Sequence, residues 1–306
     1  MRDEFIKSLT SLATNDKDIV LLTADLGFGI FEDFESRFPG QYFNVGVSEQ
    51  NMTGLATGLS LEGKKVVTYS LANFPILRCL EQIRNDACYH NANITIVGSG
   101  GGFSYGALGM SHHATEDLAI LRALPGMKVI APCTAWEAGK ATSSLINSGG
   151  VGYLRIDKTS AKDDSEDKKF ILGKARRHRE GSDLTLIAIG GILKDVNAAA
   201  FKLESHGISV RVLGIHTLKP IDEVEILSAA SETGGIVTIE EHNKDGGLAG
   251  AVAEVCMDNG VFPKNFARIG LDNMYSSIVG SQQYLKSYYK MDMKAIVDLV
   301  LKILKN

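Results

Sequence analysis

The sequence predicts two doubly wound α/β domains with mostly parallel sheets, and three observations carry that expectation. Short continuous apolar runs, such as Ile19-Val20-Leu21-Leu22-Thr23-Ala24, are typical of strands buried on both faces of a parallel sheet. Helical patterns separate these runs at the spacing of β-α-β units. A charge-rich stretch between Asp157 and Gly181 divides one such series from a second. At 306 residues the chain is long enough to bury two cores.

Taken in order, Arg2 to Leu12 has helical spacing through Phe5, Leu9 and Leu12, and the Ile19 run is the first strand. Tyr42–Val45 is a short strand, followed by a helix-like run from Met52 to Leu61. Strands are expected at Lys65–Tyr69, Ile94–Ser99, Lys128–Ala131 and Gly152–Ile156. Helices at Ile76–Tyr89, Thr115–Ala123 and Ala135–Ile146 alternate with them. Beyond the polar stretch, strands are expected at Leu184–Ile189, Ser209–Leu213, Gly235–Ile239 and Phe266–Ile269. Helices there are Ala198–Ser205, Glu223–Ala230, Leu248–Asp258 and Met291–Lys305. This gives a first domain over 1–160, a linker over 161–181 and a second domain over 182–306.

Composition is that of an ordinary globular protein, 44% hydrophobic and 22% charged. A net charge of −4 gives no reason to expect nucleic-acid or membrane partners. No apolar run approaches the ~20 residues of a membrane span, and Met1-Arg2-Asp3-Glu4 has no signal-peptide character. Cys79, Cys88, Cys133 and Cys256 lack metal-type spacing and read as reduced thiols, so a cytoplasmic protein is expected.

Chemistry concentrates around Gly46-Val47-Ser48-Glu49-Gln50-Asn51-Met52. Ser48 is placed to be an N-cap, which puts Glu49 in a first helical turn, where the helix field favours a carboxylate. By itself such a Glu only decorates a helix start. The run continues Gly54-Leu55-Ala56-Thr57-Gly58-Leu59, and the whole resembles the pyrimidine-binding domain of the transketolase family. The resemblance covers roughly Arg2 to the last helix. It implies that Glu49 touches N1′ of the aminopyrimidine of thiamine diphosphate. A proton shared there favours the imino form of the 4′-amino group, which then removes the thiazolium C2 proton.

The same resemblance places Phe74 where an aromatic ring stacks on the aminopyrimidine, with Leu71 and Arg78 in the cofactor-binding set. By itself Phe74 is an ordinary core aromatic. The family often has a second aromatic where this chain has Leu71. The Gly-rich run Ser99–His113 is too long for a plain turn and reads as a site loop. Its Ser111-His112 pair matches the family's Ser/Thr-His, which implies that His112 hydrogen-bonds a carbonyl oxygen becoming an alkoxide, or shuttles its proton. His113 is the weaker candidate.

Here the chain also departs from ordinary transketolases. Leu108 stands where an Asp reads a substrate hydroxyl, and Gly100 where a His helps to bind sugar phosphate. Beside Phe103 and Tyr105, these changes turn a polar channel wall apolar. Arg2 and Arg155 match two family arginines that hold the acceptor phosphate, although Gly29 replaces a usual Ser. The expected substrate-facing set is therefore Arg2, Arg155, His112, Tyr105 and Leu108. Glu240-Glu241-His242 lacks the helical spacing of a zinc site and is assigned no chemistry.

The family's Gly-Asp-Gly…Asn module, which holds diphosphate and Mg²⁺, is missing, so no metal ligands are expected in this chain. The resemblance therefore implies the C-terminal subunit of a split transketolase. Its partner would be an N-terminal subunit supplying the Mg²⁺ ligands, as α2β2, and together they would move a two-carbon ketol unit between sugars. The rival is a 2-oxoacid-using relative, such as a 1-deoxy-xylulose-5-phosphate synthase-like or 2-oxoacid dehydrogenase β-like subunit. A non-catalytic scaffold has no need of Glu49, Phe74 and His112 together.

Overall fold

Twelve strands fall into two sheets in the computed structural model, which describes residues 1–163 and 169–305. Residues 164–168 of the stretch read as a linker, and Asn306, lie outside the described residues.

The first series is α1 (Arg2–Asn15), β1 (Ile19–Thr23), α2 (Glu32–Arg37), β2 (Tyr42–Asn44), α3 (Glu49–Leu61), β3 (Lys65–Leu71), α4 (Phe74–Leu77) and α5 (Leu80–Gln82). A π-helical turn over Ile83–Cys88 leads to β4 (Ile94–Ser99), α6 (Asp117–Arg122), β5 (Lys128–Ile130), α7 (Ala135–Ser148) and β6 (Val151–Ile156). The second series is β7 (Arg176–Arg179), β8 (Leu184–Ile189), α8 (Leu193–Glu204), β9 (Val210–Gly214), β10 (Thr217–Lys219), α9 (Glu223–Glu232) and β11 (Ile236–Asn243). It ends with α10 (Leu248–Asp258), β12 (Phe266–Leu271), α11 (Gln282–Tyr288) and α12 (Met293–Ile303).

The seven-stranded sheet runs β10-β5-β6-β4-β3-β1-β2, parallel except where β10 meets β5. The five-stranded sheet runs β12-β11-β8-β9-β7, parallel except where β7 pairs with β9. The predicted fold class, two α/β domains with mostly parallel sheets, is what forms. Central strands such as β1, β4 and β8 are buried along their whole length, which is why they read as unbroken apolar runs. One core lies under α1 and α7, a second under α8 and α12, and a third between the two sheets. This middle core joins Leu118, Leu121 and Met127 to Ile187, Leu213 and Leu248.

Local chemistry fixes several ends. Thr134 and Glu137 form a reciprocal capping box that starts α7. The helix predicted over Ile76–Tyr89 is broken instead: Cys79 leaves helical geometry (φ −112°, ψ 10°), and the chain resumes as α5 and the π-turn. The two antiparallel edge strands are short, and β7 is the charged run Arg-Arg-His-Arg, so neither shows the apolar signature of a strand. Among the described residues no helix is long and apolar enough to cross a membrane.

Candidate active site

At the carboxyl ends of the first sheet, parallel strands release their loops to one side, the usual place for ligands in such sheets. The turn after β2 delivers Glu49 as the first residue of α3, only 5% exposed. Ser48 sits at the N-cap position, but its hydroxyl donates to the Val45 carbonyl and accepts from no helix amide. The turn after β3 delivers Phe74 and Arg78. The Arg78 guanidinium donates to Glu49 Oε1 at 3.0 Å and lies over the Phe74 ring at 4.2 Å. The loop after β4 delivers His112, whose ring meets the Phe74 ring edge-on, centroids 5.3 Å apart. Glu49, Arg78, Phe74 and His112 therefore form one contiguous array from three loops.

Two short contacts steady its far side. The Asn73 amide donates to the Ser111 carbonyl, and the Ser111 hydroxyl lies 3.0 Å from His112 Nδ1. Beside them a cavity of about 400 Å³ is lined by Asn73, Leu77, Met110, Ser111, His113, Glu116 and Tyr275. His113 is buried, so burial holds its pKa below the usual histidine range. Its Nε2 faces the Gly106 carbonyl at 3.4 Å, a contact that works against part of that shift.

A second cavity, of about 390 Å³, opens at the ends of β4 and β6 and is lined by Arg2, Asp3, Ser99, Tyr105, Asp157 and Lys158. Ser99 is the register partner of Leu71, so this cavity lies one strand away from the Phe74 turn. Tyr105 explains Gly100: a Cβ on Gly100 would lie 2.1 Å from Tyr105 Cε2, so the phenol ring fills the space a side chain there would need. The Lys158 ammonium sits 3.8 Å from the centre of that ring. Burial, then the nearby Arg2, lowers the Lys158 pKa. Arg2 and Leu108 are exposed, Leu108 at 56%.

Arg155 is not open to this cavity. It is 1% exposed, and its guanidinium donates to Asp157 (3.1 Å), Asp117 (3.4 Å) and the Glu241 carbonyl (3.1 Å). Burial works against its charge, but Asp157 and Asp117 outweigh that and raise its pKa. Tyr153 donates to the other Asp117 oxygen at 2.6 Å. The Glu-Glu-His run joins the same buried cluster. Glu240 accepts from the Leu248 and Ala249 amides at the start of α10, and Glu241 accepts from the Phe103 amide at 2.6 Å.

The structure thus gathers Glu49, Phe74, Arg78 and His112, places Arg2 and Tyr105 around a neighbouring cavity, and buries Arg155 behind both. Leu71 ends β3 beside them. Sequence reasoning passed over Asn73 and Lys158. Asn73 precedes Phe74 directly, and Lys158 lies two residues past the end of β6, but single polar residues in turns carry no chemical signature.

For thiamine diphosphate these residues fit one end only. A nearly buried carboxylate at a helix start, with only Oε1 hydrogen-bonded among the described residues, next to an aromatic ring, suits the edge and face of a pyrimidine. Among the described residues, no group of three or more His, Cys, Asp or Glu is arranged to hold a metal ion.

Residues 1–162 match the model of the transketolase pyrimidine-binding domain, and residues 173–296 that of the transketolase C-terminal domain. The chain is 36% identical to an apulose-4-phosphate transketolase subunit of Phocaeicola vulgatus, across 99% of this chain and 97% of that one. It is also 36% identical to a 6-deoxy-6-sulfo-D-fructose transketolase subunit of a Clostridium species, across 97% and 92%. A solved split-gene transketolase, described as an inactive β4 tetramer, superposes with a TM-score of 0.90 at 34% identity, covering 99% of this chain and 98% of that one.

Proposed function

We propose a function from one premise: this chain belongs to the transketolase family, carrying that family's pyrimidine-binding and C-terminal domains. It acts as the C-terminal subunit of a split thiamine diphosphate-dependent transketolase, in the cytoplasm, with domains of 1–160 and 182–306 joined by a stretch whose end, Arg176–Arg179, adds a strand to the second sheet. The observation that carries this reading is the contiguous array Glu49–Arg78–Phe74–His112 at the strand ends. Thiamine diphosphate, when bound, supplies the carbon nucleophile that accepts the two-carbon unit.

This chain's residues bind and orient. Glu49 holds a proton at the pyrimidine N1′, a position where general acid–base work contributes ~10²–10⁴-fold. Phe74 presents a flat face for a stacked ring, and a ring there takes the place of the half-exposed Arg78 guanidinium. His112 donates a hydrogen bond to the substrate oxygen as negative charge develops on it. The diphosphate and Mg²⁺ ligands come from an N-terminal partner subunit, as an α2β2 assembly.

The exposed Leu108 and the Tyr105 ring that covers Gly100 supply an apolar wall, beside a cavity whose rim carries Arg2 and Lys158 together with Asp3 and Asp157. A hydroxyl against that wall loses ~1–3 kcal/mol of hydrogen bonding to water, so the preferred donor carries fewer hydroxyls there than xylulose 5-phosphate. One relative's name carries a sugar phosphate and the other a sulfo sugar, which fits a ketose with an anionic end. Pairing the chain with an N-terminal subunit and measuring kcat/KM on a donor panel tests the reading. Transfer from a phosphorylated or sulfonated ketose supports it. Turnover only with a 2-oxoacid such as pyruvate establishes the rival activity, and micromolar thiamine diphosphate binding and turnover by the chain alone refute the split site.

A further inference from the structure

We propose that Glu241, reaching across from the second sheet, is a positioning residue whose ionisation sets how firmly the root of the 99–113 loop, and with it His112, is held. The proposal rests on the reading above only in its catalytic consequence.

The geometry is specific. Glu241 lies on β11, 2% exposed, and its Oε1 accepts from the Phe103 amide at 2.6 Å. The Gln282 side-chain amide, at the start of α11, donates to both carboxyl oxygens, at 3.0 and 2.9 Å. The carboxyl also fills the space beside Gly102, where a Cβ would lie 2.6 Å from Glu241 Cγ. From this anchor the loop continues through the Phe103 ring, which stacks on Tyr289 and meets the His113 ring edge-on at 5.1 Å. His113 adjoins His112 in sequence. A shift at Phe103 therefore reaches the site through one ring contact and one peptide bond.

The carboxyl's surroundings make its charge adjustable near neutrality. Asp157 and Arg155 face it from the end of β6, with Asp117 behind Arg155, and Lys286 faces it from α11, itself paired with Asp195. Glu240 and His242 flank it on its own strand. Burial, then Asp157, pushes the Glu241 pKa up to about 7, against the pull of Lys286, Gln282 and Arg155. The ionised form accepts charge-assisted hydrogen bonds, which are stronger than those of the protonated form, so the loop root tightens as pH rises through this value.

Hydrogen–deuterium exchange on the full chain reads the Phe103 amide directly, wild type against Glu241→Gln. The protection ratio of wild type to variant over residues 101–107 is expected to rise from near unity at pH 6 to about tenfold at pH 8. A ratio that does not change with pH overturns the proposal. Gln282→Leu leaves the Phe103 contact alone but removes the donor that favours the ionised carboxyl, so it should move the rise to higher pH. This second variant keeps the test decisive if Glu241→Gln does not fold, and an unmoved rise counts against the proposal. In the assembled enzyme, an acid limb of kcat near pH 7 should flatten in Glu241→Gln while the KM for thiamine diphosphate stays constant; an unchanged limb refutes the catalytic consequence. No turnover in the wild type, together with the expected exchange behaviour, would refute the transketolase activity and leave the loop restraint standing.

Discussion

Replacing Arg155 with Met separates a structural arginine from a substrate-binding one. The side chain is 1% exposed and joins three elements: Asp157 after β6, Asp117 at the start of α6, and the Glu241 carbonyl on β11. Met fills comparable volume, so little cavity cost is added, and the loss is electrostatic. Two buried carboxylates lose their cation, and one buried carbonyl loses a donor. Breaking a buried pair by removing one partner costs ~3–5 kcal/mol, because the remaining charge stays desolvated. For a chain of this size that is a fall in Tm of roughly 6–10 °C, at about 2 °C per kcal/mol. The loss should shrink toward pH 5. A buried carboxylate left without its cation is relieved by protonation as pH falls, which sheds the cost of burying charge. Urea unfolding at pH 8 and pH 5, with wild type alongside, measures both. A variant as stable as wild type at pH 8, with KM for a phosphorylated substrate raised tenfold or more, would refute the structural role and return Arg155 to the substrate.

Other outcomes follow from the same geometry. Glu49→Gln in the assembled enzyme should lower kcat by ~10²–10⁴-fold with an unchanged circular dichroism spectrum; turnover within a few-fold of wild type would remove Glu49 from cofactor activation. Gly100→Ala forces a Cβ into the Tyr105 ring at a φ of +87° and should cost roughly 1–3 kcal/mol in urea unfolding, with a smaller cost in a Tyr105→Ala background. His216 is fully buried against Phe170, and burial, then Arg176, lowers its pKa to about 3. The unfolded chain takes up this proton near pH 6.5 and the folded chain does not, so stability falls with pH below 6.5, by ~4–5 kcal/mol at the limit. His216→Gln should flatten that acid limb in unfolding midpoints measured from pH 7 to 4.

Long buried strands and amphipathic helices were legible because burial on both faces or along one stripe leaves a pattern. The strands Ile94–Ser99 and Leu184–Ile189 and the helix Leu248–Asp258 form where periodicity placed them. The edge strands β7 and β10 and the helix α11 left none. One is four residues of mostly charged sequence, one is three residues long, and one exposes Tyr284 and Tyr288 to solvent. At the candidate site, a local motif singled out Glu49, Phe74 and His112, which the structure brings together. The surroundings of Arg155 were not legible: Asp157 is two residues away, but Asp117 and Glu241 lie 38 and 86 residues away, and Glu241 meets it only when the two sheets pack. The same holds for Tyr105 filling the space of Gly100: a ring standing in for a neighbour's side chain is a fact of loop shape.

The excursion of β10 has a consequence for dividing this molecule. A strand that follows β9 of the second sheet crosses over to close the edge of the first, pairing with β5, while the Lys219 ammonium caps the carbonyls of Arg122 and Leu124. A fragment stopped after β6 would therefore bare the backbone of β5 and lose the apolar cover that Leu218 and its neighbours give the middle core. Such a piece invites edge-to-edge association with its own kind. Modules of this architecture cannot be exchanged by cutting at the polar stretch alone; a working graft must carry Thr217–Lys219 with the first sheet, although they are encoded inside the second.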